Sequence, residues 1–365
     1  MKELDEIIGR IAALQSVGSV YFDEGLFPAQ RTNAMVGYQR PDTTVFFTAI
    51  MVFTLQKISH LLSPKSQLLV GSIAEKAIQN YPKFRNKDGL KTYNFWKTKP
   101  SKHFPNGYLF HHFDHFRIPD DVDDTAMIYL TTSPTEEDLL WLKEKLSQHA
   151  NRSKHTIRNT YPEYRQLRAY STWFGKNMYI EFDACVLSNL LYCVYHYQLP
   201  LNQHDYDSLT YIRSVIETDR YLTEPFRCAH QYPRTVLIIY HVARLMGAFH
   251  IPELDSIKDK IINDIYELLQ YPQQPLDEIL LKTSLLRLGE KGHDVRQLTF
   301  EIGDWLKAED PKTNKFYFFI AGLLTAYENP ALYHLAKSPL FHIQWKCEAH
   351  SWVLVAEYLA LLQEN

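Results

Sequence analysis

The sequence predicts an all-α fold: a single alpha/alpha toroid, an (α/α)6 barrel of six inner and six outer helices spanning residues 1–365. Three observations predict it. Apolar residues recur at three- and four-residue spacing along most of the chain, the period of a helix with one buried face. Charged amphipathic helices alternate six times with helices that are apolar or polar only through Tyr, His, Asn and Thr. No comparably long run alternates cleanly enough to compete as a strand. Hairpins that must each hide one apolar helix bury all of them at once by closing into a ring. An open solenoid is the other arrangement, and it calls for capping repeats that are not evident.

The first helix is expected over about 2–16, where Leu4, Ile7, Ile8, Ile11 and Leu14 share a face. An apolar helix follows at 43–62 and stops before Ser63-Pro64, because proline disfavours helical geometry in the residue before it. A charged helix covers 65–80, and 121–131 forms the next apolar one. Helix 134–150 opens with Ser133-Pro134-Thr135-Glu136, which combines a hydroxyl cap, a first-turn proline and an acid facing the dipole. Charged helices are expected at 203–219, 253–270 and 292–308, apolar ones at 180–198, 232–248, 275–289 and 315–328, and a last helix at 346–363.

A chain of 365 residues, 45% of them hydrophobic, can bury a substantial core in one domain. Its net charge of -3, with Lys and Arg scattered, leaves no footprint for nucleic acid. The N-terminal residues lack the basic start and apolar core of a signal peptide, and no apolar run reaches the roughly 18 residues of a membrane span. The expectation is a soluble chain with no transmembrane segment, in which peripheral membrane contact stays open. Four cysteines without a CxxC pair suit a reducing, cytoplasmic setting. The 24 Tyr and 20 Phe are the unusual part of the composition; tyrosine in such numbers suits a half-wet cavity mouth.

Two long loops interrupt the helices, at about 81–120 and 151–179. Unstructured loops beyond about 12–15 residues are uncommon in compact domains and usually functional. Both lead into inner helices, so both are expected to rim the same mouth.

The sharpest feature is acidic. Asp120, Asp121, Asp123 and Asp124 open an apolar helix directly after Pro119. Two acids would suffice as cap and dipole partner. Four in five residues repel one another, and the excess suits either a shared hard cation or an acid that keeps its proton.

Asp121-Val122-Asp123-Asp124-Thr125-Ala126 resembles the DxDDTA motif of class II terpene cyclases, the squalene–hopene cyclase-like family. The resemblance implies an alpha/alpha toroid with the motif at the mouth-facing start of an inner helix. It implies that Asp123 is the general acid protonating an alkene or epoxide, and that Asp121 and Asp124 assist it. Residues 182–194 and 232–244 are similar to inner helices of such toroids. The chain also departs from the family. Residues 17–43 leave no room for the usual second toroid, and the QxxxGxW-type repeats are missing. A lone toroid must close its cavity with its own loops or in a homo-oligomer.

The substrate-binding candidates are Tyr93 and Trp96 from the first loop, Trp173 and Phe174 from the second, Asn189 and Tyr192 from the third inner helix, and Tyr232, Arg234 and Tyr240 from the fourth. Arg234 or Arg244 would suit a diphosphate. His111, Asp114 and His115 have helical ligand spacing but no HExxH and no fourth ligand, so no metal site is expected there. Cys347, Glu348 and His350 form a nucleophile set on paper only. The leading expectation is protonation-initiated cyclisation of a hydrophobic polyprenyl substrate, with no cofactor required and Mg2+ entering only with a diphosphate. The alternatives are a carbohydrate-active toroid, which needs a second carboxylate from Asp183 or Glu348 across the cavity, and a non-catalytic scaffold.

Overall fold

The computed structural model describes residues 2–104, 107, 109, 110, 112, 113, 117–175, 178–271, 273–302, 316–324 and 329–364. Among these, the long helices are α1 (Lys2–Leu14), α2 (Val45–Ile58), α3 (Pro64–Ile78), α4 (Val122–Thr131), α5 (Glu136–Gln148) and α6 (Ala184–His196). They continue with α7 (Gln203–Glu217), α8 (Thr235–Ala248), α9 (Lys258–Leu269), α10 (Pro275–Arg287) and α11 (Glu348–Glu364).

Six of them are buried on nearly every side, as a helix without a charged face must be. In α4 every residue from Val122 to Thr131 is buried, and in α2 only Gln56 and Lys57 are not. These six pack in a closed cycle: α2 on α4, α4 on α6, α6 on α8, α8 on α10, α10 on α11, and α11 back on α2. The charged helices lie outside it. α1 packs on α11 and α3, α7 on α6, and α9 on α10. The buried Lys143–Asp205 pair ties α5 to α7.

The all-α expectation is overturned by a four-stranded antiparallel sheet. Its strands are β1 (Ala29–Asn33), β2 (Tyr38–Asp42), β3 (Phe319–Gly322) and β4 (His342–Lys346), in the order β2-β1-β4-β3. β1 and β2 form a hairpin that pairs Arg31 with Arg40 and turns through residues 34–36 and Gly37, whose φ of 63° is the left-handed conformation that glycine adopts without strain. β4 pairs with both β1 and β3, so Trp345 lies opposite Arg31 on one side and Phe319 on the other.

The expected inner helix at 315–328 is therefore corrected to a strand over 319–322, with 325–328 outside the described residues. A short apolar run does not distinguish strand from buried helix, and here the sheet takes it. The sixth ring helix is instead α11. Residues 303–308 of the helix expected at 292–308 also lie outside the described residues; before them His293–Arg296 is helix, 297–301 is not, and Ile302 is helical again.

Four of the ring helices begin at one mouth. Phe46 in the first turn of α2, Asp123 in that of α4, Val186 in that of α6 and Tyr232 just before α8 surround one pocket, and the sheet lies across it with Phe319, Ile320, Ala321 and Trp345. No helix among the described residues is long and apolar enough to cross a membrane. The four cysteines are buried and free.

Candidate active site

Asp121 starts α4. Its backbone is extended, and its Oδ1 accepts hydrogen bonds from the amides of Asp123 (2.6 Å) and Asp124 (3.1 Å), the arrangement of an N-cap. The two long loops meet here. The Asp121 amide donates to the Tyr93 carbonyl, the Val122 amide to the Thr172 carbonyl, and the Phe174 amide to the Asp120 carbonyl. Asp120 is a clamp for the first loop, accepting from the Asn86 amide (2.5 Å), Thr92 hydroxyl (2.5 Å) and Asn94 amide (3.3 Å).

Asp123 and Asp124 take no part in capping. Asp123 Oδ1 accepts from Asn189 Nδ2 (2.6 Å), and Oδ2 accepts from the Tyr232 hydroxyl (2.5 Å). Behind Asn189 stands Arg244, which is 1% exposed, donates to Asn189 Oδ1 and lies over the rings of Phe53 and Tyr240. Asp124 is also 1% exposed, and both of its carboxyl oxygens are without a hydrogen-bond partner among the described residues.

Burial disfavours the charged form of all three acids. It lifts Asp123 to about 6, and the Tyr232 and Asn189 hydrogen bonds and the Arg244 charge keep it from rising further. Asp121 is raised well above the usual carboxylate range by burial and then by the neighbouring Asp123, against the pull of its two amide bonds. Asp124 is raised well above that range by burial and by the Asp121, Asp123 and Asp120 charges, with no hydrogen bond to oppose them. On the next ring helix Asp183 caps α6 and also accepts from the Gln231 amide, and burial brings it to about 7.

The pocket that Asp121, Asp123 and Asp124 face is mostly aromatic and apolar, with Gln231 an uncharged polar member of its wall. Phe46, Phe95, Trp96, Phe104, Ile118, Trp173, Val186, Tyr232, Phe319 and Trp345 wall it around Asp121, Asp123 and Asp124. Phe319 stacks on Trp345 with ring centroids 5.4 Å apart, and Phe95 meets both edge-on at 5.6 Å. One acid fixes two of the walls: Asp42 Oδ2 accepts from the indoles of Trp96 (3.1 Å) and Trp345 (2.8 Å). The cavity volume is about 50 Å³, below the about 150 Å³ that accommodates benzene in an engineered apolar cavity.

Of the sequence candidates, Trp96, Trp173 and Tyr232 line this pocket and Asn189 supports it from behind Asp123. Tyr93 contributes its backbone, and Phe174 turns its ring to His149. Tyr192 lies further along α6, packed on Phe53 and Phe249. Tyr240 donates to Glu357, and Arg234 pairs with Asp277. Phe46, Phe95, Phe319 and Trp345 were missed; two of them sit on strands that the helical period hides. Also missed was a buried chain near Trp173. Its indole donates to Glu181 (2.8 Å), His230 Nδ1 lies 2.9 Å from the same carboxylate, and His230 Nε2 is 2.6 Å from the Tyr333 hydroxyl. His111, Asp114 and His115 lie outside the described residues. Among the described residues no group of three His, Cys, Asp or Glu is arranged to hold a metal ion.

Neither a family model nor a curated protein matches this sequence.

Proposed function

We propose that the chain is an acid-catalysing enzyme that protonates a carbon–carbon double bond of a hydrophobic, isoprenoid-type substrate, the opening step of a cyclisation or isomerisation. One observation carries this reading: three buried carboxyls within one helical turn, one of them without a hydrogen-bond donor among the described residues, form part of the wall of a mostly aromatic pocket. Water there would take the proton, whereas an alkene leaves it no better acceptor. The cation that forms is stabilised by the faces of aromatic rings.

The residues around the pocket favour this over the rivals. A bare scaffold needs only the cap, and Asp121 supplies that alone. A glycosidase needs a second carboxylate across the cavity. Asp183 is committed to three backbone amides, and Glu348 pairs with Arg10 beside a different cavity. No Lys, Arg or His is among the described residues lining the pocket, and Arg234 and Arg244 are held elsewhere. The part of the substrate that enters is therefore hydrocarbon; a diphosphate, with any Mg2+ it brings, is not provided for here. At about 50 Å³ the pocket admits a prenyl terminus only as its aromatic walls shift.

The test is incubation in D2O with geranylgeranyl diphosphate, with squalene and with oligosaccharides, followed by mass spectrometry. A cyclised or isomerised hydrocarbon carrying solvent deuterium is expected, and it is lost when Asp121, Asp123 and Asp124 are all changed to Asn. Cleavage of the oligosaccharides, or no deuterated product from either prenyl probe, sinks the reading.

A further inference from the structure

We infer that the proton is delivered by Asp124, with Asp123 serving as its fixed anionic neighbour. The inference rests on the acid-catalysis reading, and it departs from what the motif resemblance implies, where Asp123 is the donor.

The hydrogen-bond directions carry the argument. An arginine has donors only, so the bond from Arg244 to Asn189 Oδ1 sets the orientation of the Asn189 amide and turns its NH2 group toward Asp123. Asp123 Oδ1 is thereby an acceptor. Oδ2 receives the Tyr232 hydroxyl, for which no other acceptor is seen among the described residues. With both oxygens accepting and an arginine just behind, Asp123 is arranged as a carboxylate and has no proton directed at the pocket.

Asp124 is its opposite. It lines the same pocket, is 1% exposed, and has no donor on either oxygen. A buried carboxylate with no donor is strongly disfavoured, while a neutral carboxyl there lacks only weaker bonds. The charged groups acting on it, Asp120, Asp121 and Asp123, are all acidic and hold the proton in place. Asp121 differs from Asp124 in accepting two amide hydrogen bonds on Oδ1, which favour its charged form, whereas Asp124 accepts none.

In the step itself the alkene π pair forms a C–H bond with the Asp124 proton as the O–H bond breaks. The carboxylate and the carbocation appear together. When the final cation sheds a proton and restores a double bond, the carboxyl is reprotonated, so no oxidant or reductant is consumed.

The proton can be located without substrate. A protonated carboxyl that makes no hydrogen bond has a carbonyl stretch at unusually high frequency in the infrared, set apart from bonded acids and from carboxylates. That band is expected in the wild-type protein at neutral pH. It should vanish in Asp124→Asn, move in Asp124→Glu and survive in Asp123→Asn. Absence of the band from the wild type, or its loss in Asp123→Asn with persistence in Asp124→Asn, overturns the inference. Circular dichroism checks that each variant is folded, and Asp124→Glu keeps the test decisive if Asp124→Asn is not. In the D2O incubation, deuterated product from wild type with undiminished product from Asp124→Asn removes Asp124 as donor and leaves the acid-catalysis reading standing. Failure of wild type to form product removes that reading, while the infrared band still reports where the proton sits.

Discussion

Four aspartyl groups at the starts of α4 and α6 bind their protons more tightly in the folded chain than in the unfolded one. An unperturbed aspartyl ionises near 3.8, Asp123 at about 6 and Asp183 at about 7. Below 3.8 both states are protonated, and the preference of these groups for the folded state is fully present. As pH rises the unfolded chain ionises first, and the contribution is lost through the folded values, for Asp123 and Asp183 between about 4 and 7. Ion-paired acids act oppositely and elsewhere: Asp138, held at about 2 chiefly by the Lys91 hydrogen bond, loses its contribution as pH falls below the usual carboxylate range. Asp183→Asn removes the titration and keeps a capping oxygen, while its NH2 group replaces the acceptor of the Gln231 amide, a cost that does not vary with pH. Its thermal midpoint relative to wild type should therefore be higher at pH 8 than at pH 4. A difference that does not change between the two would show that the fold does not raise the Asp183 carboxyl.

At the scale of elements, β2 and the first long loop are joined through Asp42. Replacing Asp42 by Ala removes the acceptor shared by Trp96 and Trp345 and leaves two buried indole N–H groups unsatisfied. At about 1–3 kcal/mol each, the loss should be about 2–6 kcal/mol in denaturant unfolding, with tryptophan emission of the folded state shifted toward that of wetter indoles. Unchanged stability would mean that the two indoles find other acceptors. The helices were legible where they carried local signals. The helix expected from 134 starts at Glu136, capped by Thr135 in a capping box with Asp138, so Ser133 is not its cap and Pro134 lies before its first turn; Asp121 became the cap of α4. The strands carried none. Residues 29–42 hold Arg31, Arg40, Pro41 and Gly37 with no two-residue apolar alternation, and their pairing depends on β4, which is remote in sequence. The run at 315–328 is apolar without a period, so only its neighbours determine what it becomes.

Across the whole molecule, the ring is closed by buried polar bridges as well as apolar contact. Glu357 on α11 accepts from Tyr240 on α8 (2.6 Å) and pairs with Arg287 on α10. Glu357→Leu strands Arg287 without its carboxylate and should cost about 3–5 kcal/mol, measured by urea unfolding; a neutral or stabilising result would mean that the arginine reaches water. The same distance in sequence explains what was hidden in the site. The excess of acid at 120–124 is readable because its four aspartates lie within five residues. That Asn189, Tyr232 and Arg244 converge on Asp123 is decided by ring closure, and that Phe319 and Trp345 roof it is decided by sheet register.

Trp345 and Asp42 stand 303 positions apart. The pocket thus joins two segments remote in sequence, and long-range closures of this kind are slow. Until β3 and β4 dock, Phe46 and Phe95 lack the rings of Phe319 and Trp345 that cover them, so a nascent chain carries a sticky aromatic surface until those strands have emerged. Shielding by chaperones during that interval, more than the final stability of the ring, would then govern how much of the protein survives to fold.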